Sequence, residues 1–176
     1  MTEKIEKKEV KVSESNQTVK KLIELTKEEV KKLPLITIEY RRIYNKKTKN
    51  YTRYEVELFV NPRIKLVHTV DPNVFNKISL LFNVDEKVDV IRSTAACRFC
   101  EGIAVDKYGS EIDFKLIQCI VRLNPSPVYE TFLLNKDDKE TFEILLERKM
   151  ITFDLVKMSK EESSQYSVFD KINEEE

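Results

Sequence analysis

Residues 36–60, ITIEYRRIYNKKTKNYTRYEVELFV, decide the fold of this chain. Residues 36–41 alternate apolar and polar side chains, and residues 51–60 are rich in aromatic and β-branched types. Between them lies a polar segment, residues 45–50, which contains three lysines. Because successive side chains on a strand point to opposite faces, this pattern predicts two antiparallel strands joined by a turn, a β-hairpin.

The sequence after this hairpin predicts more strands and two helices. Asp71-Pro72 is a typical helix start, because the Asp side chain accepts hydrogen bonds from the first N–H groups of a helix and Pro fits its first position. Asn135 is the corresponding cap of a second helix. Further strands are predicted at residues 64–70, 88–91, 103–105, 112–123, 128–134 and 151–156. We therefore expect an α+β fold, a mainly antiparallel sheet built from hairpins with two or three packing helices.

Another helix is predicted over residues 17–33, and Pro34 ends it because Pro restrains the preceding residue and lacks an N–H. One face of this helix carries residues at four-three spacing: Val19, Ile23, Thr26, Val30 and Leu33. Such spacing allows pairing with a partner helix or, in a homodimer, with a second copy of the chain. Thr26 interrupts the apolar face, so docking of the helix on the sheet of its own chain is the favoured interpretation.

The length of 176 residues fits one domain with tails. Residues 1–16 are expected to form a flexible charged tail, residues 17–158 a single α+β domain, and residues 159–176 an acidic C-terminal tail. The chain has 31 Lys and Arg against 31 Asp and Glu. A neutral balance argues against a histone-like binder of nucleic acid, which needs a positive global field, but it allows a local basic patch.

The composition also argues against common enzyme classes, and we expect a protein without catalytic residues. Two glycines leave no Gly-rich loop for a phosphate, and the single histidine belongs to no recognisable nucleophile motif. Charges interrupt the N-terminus, and the longest apolar run of about six residues is far below the roughly 20 that span a bilayer. With three cysteines, an odd number, the reducing cytoplasm is the expected location and no membrane partner is expected.

The first candidate site is the basic, tyrosine-bearing hairpin. Cations displace counterions from phosphates, and aromatic rings stack on unpaired bases, so this combination of residue types is typical of contacts with nucleic acid. The candidate residues are Tyr40, Arg41, Arg42, Tyr44, Lys46, Lys47, Lys49, Tyr51 and Arg53. The alternative is structural, since Tyr is common in strands and charged turns keep edge strands from pairing with other chains.

The second candidate site is a zinc site made by the three cysteines and the histidine. Cys97, Cys100, Cys119 and His68 are a chemically complete ligand set for tetrahedral Zn²⁺. Structural zinc sites usually pair two short knuckles, whereas here one CxxC knuckle is combined with two separate residues. Buried strand residues are therefore the favoured interpretation, no cofactor is expected, and a redox role for the CxxC pair is less favoured still.

Two functions follow from these patterns. The first is a non-enzymatic accessory protein that binds single-stranded DNA or RNA through the basic hairpin, encoded by a phage or a mobile element, as the Lys-, Asn- and Ile-rich composition suggests. The second is a protein-interaction factor that inhibits or modulates a host protein, such as a defence or nucleic-acid-processing complex. Salt-dependent binding of nucleic acid distinguishes the first from the second.

Overall fold

The computed structural model describes residues 20–165 except 86, 125, 152 and 154, and within them seven strands form one curled sheet. The strands are β1 (Leu35–Asn45), β2 (Asn50–Asn61), β3 (Ile64–Thr69), β4 (Val90–Val105), β5 (Glu111–Arg122), β6 (Val128–Leu133) and β7 (Leu155–Lys157). Their order is β3-β2-β1-β4-β5-β6, antiparallel throughout, and β7 pairs parallel with β4. The predicted α+β class with a dominant antiparallel sheet is confirmed.

Four α-helices accompany the sheet in the described residues: α1 (Lys27–Lys31), α2 (Pro72–Leu81), α3 (Lys136–Glu147) and α4 (Lys160–Ser164). The structure therefore has more helices than the two or three predicted, and α1 and α4 are short, with five residues each. The two predicted caps are confirmed, since the Asp71 side chain accepts from the N–H of Asn73 and the Asn135 side chain from the N–H of Asp138. Among these helices, none combines the length and the apolar character that crossing a bilayer requires.

The continuous helix predicted over residues 17–33 is wrong for the described part of that range. A short 3-10 turn, Leu22–Glu24, precedes α1, and Thr26 lies between them. The Thr26 hydroxyl accepts from the N–H of Glu29 at 3.2 Å, while the Glu29 carboxylate accepts from the N–H of Thr26 at 3.1 Å. This reciprocal capping box starts a helix at Thr26, so the four-three face proposed for a homodimer is not a continuous helical surface there.

The C-terminal part of the described chain is folded beyond the predicted domain boundary at residue 158. Ser159 caps α4 by accepting from the N–H of Glu162, and Glu162 is buried against Arg98 of β4 at 3.4 Å. Residues 159–165, which the sequence predicts to belong to the acidic tail, thus contain a capped helix. The rest of that tail, residues 166–176, and the predicted N-terminal tail, residues 1–16, lie outside the described residues.

Strand β4 is the central element of the sheet. Its first half pairs with β1, from Leu35↔Ala96 to Arg41↔Val90, and its second half pairs with β5. The sequence predicts two separate strands here, but residues 90–105 form one. Side chains of the face that includes Phe99 join α2 and α3 in the main core, and smaller apolar clusters lie on the opposite face.

The curl of the sheet brings its two edge strands close to each other. His68 on β3 lies with its Nε2 atom 3.4 Å from Oε2 of Glu130 on β6, and its ring centroid is 4.6 Å from that of Phe132. The main core is therefore enclosed on one side by the sheet and on the other by α2 and α3, which contribute Phe75 and Phe142.

Candidate functional site

The β1–β2 hairpin extends past its neighbours in the sheet. Strand β4 pairs with β1 as far as Arg41, and β3 pairs with β2 as far as Glu55. Beyond these points β1 and β2 pair with each other until Asn45↔Asn50. We refer to residues 42–54 as the ribbon, because among the described strands they form a two-stranded projection.

The turn at the end of the ribbon is ordered by its own side chains. The side-chain oxygen of Asn45 accepts from the N–H groups of Lys47 at 2.8 Å and Thr48 at 3.3 Å. Lys49 adopts a left-handed conformation with φ of 56°, which closes the turn. Lys46, Lys47 and Lys49 are all exposed, and none of them forms an ion pair with a described residue. Three free cations are thus grouped at the tip.

The arginines at the two sides of the hairpin are placed differently from the lysines, because acids lie beside them. Arg41 donates to Glu39 at 3.0 Å and lies 3.4 Å from a carboxylate oxygen of Glu57. Arg53 lies 3.6 Å from Glu55 and remains mostly exposed. Arg41 is therefore neutralised within the sheet, while Arg53 retains access to solvent.

Arg42 and Tyr51 form a fixed cluster at the base of the ribbon. The Arg42 guanidinium donates to Asp89 at 3.0 Å and lies 4.2 Å from the centroid of the Tyr51 ring. The Tyr51 hydroxyl donates to the same carboxylate at 2.9 Å, which raises the Tyr51 pKa. Tyr44 packs edge-on against Tyr51 with a centroid distance of 5.3 Å and is 47% exposed. Tyr44 is thus an accessible ring on a rigid support.

Tyr40 is part of the core rather than of an accessible surface. Its side chain is 0% exposed, and its hydroxyl donates to Glu130 on β6 at 3.0 Å. Burial and the negative charge of Glu130 raise the Tyr40 pKa far above its usual value. Strand alternation places Tyr40, Arg42 and Tyr44 on one face of β1, and the register shift beyond Ile43 falls on β2, where the pairing skips Thr52. Tyr40 is the buried end of this row and Tyr44 is the exposed end.

The accessible part of the predicted site is smaller than the sequence suggests. We call this set the ribbon tip, and its members are Tyr44, Lys46, Lys47, Lys49 and Arg53. Four of the five line an open depression of about 580 Å³ together with Ile43, Asn45 and Thr52. A polyanion that follows this depression would meet cations and one aromatic ring.

The structure does not bring the four predicted zinc ligands together. Cys97 and Cys100 lie three residues apart on a strand, so their side chains point to opposite faces of the sheet. Cys97 faces Cys119 on β5, whereas His68 lies against Glu130 at the sheet edge. Among the described residues, no group of three or more His, Cys, Asp and Glu side chains is placed to hold a metal ion.

The CxxC pair also lacks the surroundings of a redox-active motif. Its residues lie within β4 and not at a helix N-terminus, where the helix dipole would favour a thiolate. Burial raises the pKa of the Cys100 thiol to about 12. Cys100 is therefore protonated at neutral pH and packs as a small apolar residue.

Sequence reasoning missed an ion-pair ladder on the outer face of the sheet. We define the ladder as Lys65, Glu57, Arg41, Glu39 and Arg92, which lie on β3, β2, β1, β1 and β4. Lys65 contacts Glu57 at 3.4 Å, and Arg92 donates to Glu39 at 2.7 Å. The only signal in the sequence is the period-two spacing of Glu39 with Arg41, since the other partners come from separate strands.

Arg98 is a buried cation that the sequence leaves unassigned. Its guanidinium donates to Gln118 at 2.8 Å, to the backbone oxygen of Lys20 at 2.6 Å and to Glu162 at 3.4 Å. These bonds tie α4 and the start of the described chain to the centre of the sheet, so Arg98 has a structural role.

No protein-family model, curated protein or solved structure matches this chain. Its function is therefore inferred from the placement of its own residues.

Proposed function

We propose that this protein binds single-stranded DNA or RNA through the ribbon tip, as an accessory protein without a catalytic step. The observation that carries this proposal is the grouping of three exposed lysines, Lys46, Lys47 and Lys49, at the end of a projecting ribbon. None of them is neutralised by an acid among the described residues. Each is free to replace the counterions of one phosphate, which is the main source of non-specific affinity for nucleic acid.

The ring of Tyr44 favours a single strand over a duplex as the ligand. It is partly exposed, and Tyr51 supports it from one side. Unpaired bases can stack on such a ring, and each stack contributes about 1–3 kcal/mol. The bases of a duplex are already stacked on one another, so a duplex would gain only the phosphate contacts.

The test is to replace Lys46, Lys47 and Lys49 together with Gln and to measure binding of a fluorescently labelled oligodeoxythymidine by anisotropy. A single strand releases about 0.7 counterion per phosphate contact, so three lost contacts reduce the slope of log affinity against log salt by about 2. The same three contacts correspond to a loss of affinity of roughly a hundredfold in about 0.1 M salt.

A matched control replaces three exposed lysines of α1 and its end, Lys27, Lys31 and Lys32, with Gln. This control changes the net charge equally but lies away from the ribbon, so its salt slope is expected to stay close to that of the wild type. Tyr44→Ala should weaken binding without changing the slope, because stacking releases no counterions. Equal losses in the ribbon variant and the α1 control would refute the proposal, as would wild-type binding that is insensitive to salt.

A second candidate, a protein-interaction role, is favoured by apolar side chains at the opposite end of the long strands. Ile103, Val105 and Tyr108 are exposed around the β4–β5 hairpin. Exposed apolar groups of this kind mark interaction surfaces when they are contiguous. A stable complex recovered from lysate after nuclease treatment, and lost in Val105→Ser but not in the ribbon variant, would favour this role.

A further inference from the structure

Two cysteine side chains meet in the described core, Cys97 on β4 and Cys119 on β5. The two residues are directly opposed in the antiparallel register. The Cys97 thiol donates to the sulfur of Cys119 across 2.9 Å, and both side chains are fully buried. The sequence does not show that these two thiols lie side by side, because their contact depends on the pairing of β4 with β5.

The backbone at this position already fits a disulfide. Opposed residues of an antiparallel pair have Cα atoms about 4.5–5.5 Å apart, within the range of about 4.4–6.8 Å found across disulfides. A bonded pair of sulfurs is separated by about 2.05 Å, so small side-chain rotations suffice to close the remaining gap.

The third cysteine does not compete for this pairing. Cys100 lies on the opposite face of β4 and belongs to a separate apolar cluster with Phe114 and Met158. Its sulfur is near the side-chain oxygen of Gln118, at 3.5 Å. The sheet itself therefore separates Cys100 from the other two thiols and leaves one pairing that preserves the native register.

We propose that Cys97 and Cys119 form an oxidisable cross-strand dithiol, a modification site that a low-molecular-weight disulfide such as oxidised glutathione converts into a disulfide. One cysteine thiolate attacks the oxidant and releases the first glutathione, which leaves a mixed disulfide. The other cysteine attacks the protein sulfur of that mixed disulfide and releases the second glutathione. The two thiol hydrogens end on the two glutathione molecules, so the protein loses two electrons and the oxidant gains them.

The surroundings determine when this reaction takes place. Burial raises the pKa of the Cys119 thiol, and the charge of Glu130, its neighbour in register on β6, acts in the same direction. Cys119 therefore holds little thiolate in the folded protein, and its burial keeps an oxidant away while β4 and β5 are packed, so exchange at this sulfur is slow. Oxidation occurs when the strands are open, as during folding, and the disulfide formed is then shielded from reductants by the same packing.

The experiment is to refold the reduced, denatured full chain in glutathione buffers of increasing oxidised fraction. After refolding, free thiols are blocked with an alkylating agent in denaturant, and the disulfides are located by peptide mass spectrometry. We expect a Cys97–Cys119 disulfide, with Cys100 alkylated. The Cys100→Ser variant keeps the pair and should give the same disulfide in the same buffers. The Cys119→Ser variant should give no intramolecular disulfide in the refolded fraction.

Several results would overturn the proposal. One is a wild-type protein that recovers its native far-UV circular dichroism and still carries three free thiols at the highest oxidised fraction. Another is a mixture in which Cys100 pairs as often as Cys97 or Cys119. A third is a disulfide-containing form with a lower Tm than the reduced form, since a bond compatible with the register should raise the Tm.

Discussion

Replacing Glu39 with Gln tests whether the ion-pair ladder on the outer face of the sheet stabilises the fold. The Glu39 side chain is only 1% exposed, and it accepts hydrogen bonds from Arg41 at 3.0 Å and from Arg92 at 2.7 Å. Gln has nearly the same size but no charge, so the variant removes the charge and leaves the packing in place. We expect Glu39→Gln to be less stable than the wild type at neutral pH.

The size of the loss follows from these contacts. A hydrogen bond to a charged group contributes about 1.5–3 kcal/mol to stability. The side chains of Arg41 and Arg92 are 40% and 72% exposed, so water replaces part of each lost bond. Glu57 lies directly opposite Glu39 in the register, and removal of one charge relieves some repulsion between them. We therefore expect a net loss of about 1–2 kcal/mol, at or below the low end of that range.

The effect should depend on pH in a defined direction. Burial opposes ionisation of Glu39, but the hydrogen bonds and charges of Arg41 and Arg92 outweigh it and hold its pKa below the ordinary value. A carboxylate whose pKa is lowered in the folded state stabilises the fold fully when the pH is above its ordinary pKa of about 4.3. This contribution disappears as the pH falls through the lowered pKa. The difference between wild type and Glu39→Gln should thus be full at pH 7 and shrink under acid conditions.

Urea denaturation followed by far-UV circular dichroism measures this difference, since the chain has no Trp for a fluorescence assay. A control is Glu28→Gln, which removes a glutamate that is 82% exposed and lies 3.6 Å from Lys31. The control should cost less than about 0.5 kcal/mol. The reasoning is refuted if the two variants lose the same stability, or if the loss in Glu39→Gln grows as the pH falls.

Two further variants test the core. Gly102→Ala places a methyl group onto the Phe114 ring and 2.8 Å from Cε of Met158. This overpacking should reduce the free energy of unfolding by about 1–3 kcal/mol. An unchanged midpoint of urea denaturation would contradict the packing around Gly102. Tyr40→Phe removes the hydroxyl that donates to Glu130, so it should reduce the free energy of unfolding by about 1–3 kcal/mol. Oligonucleotide affinity should stay unchanged because Tyr40 is buried, and weaker binding would indicate that Tyr40 belongs to the binding site.

The elements that could be predicted from the sequence depend on neighbours in the chain. The β1–β2 hairpin is encoded by alternation and a polar turn, and the starts of α2 and α3 are encoded by Asp71 and Asn135 as caps. In each case the side chain and the backbone group that it contacts are at most a few residues apart. Such signals do not require knowledge of which strand lies beside which.

The errors occurred where one residue type has two structural meanings. Thr26 fits the apolar spacing of a long helix, but the Glu three residues later makes it the first residue of a capping box. The middle of β4 contains Ala95, Ala96, Glu101 and Gly102, residue types that are depleted in strands, so the sequence does not predict a continuous strand of 16 residues. Pairing with β1 on one side and β5 on the other stabilises β4 where local propensity does not.

Whether a given cation is paired with an acid or stays free was the hardest property to predict, because it depends on strands that are distant in sequence. Arg41 and Lys47 belong to one segment that contains no acid, yet only Arg41 is placed beside acids of its own strand and of a neighbouring strand. Lys47 lies where β3 and β4 no longer accompany the hairpin, so no acid from either strand reaches it. The length by which the hairpin exceeds its neighbours therefore determines which of these charges stay free for a polyanion, and this length follows only from the register of the whole sheet.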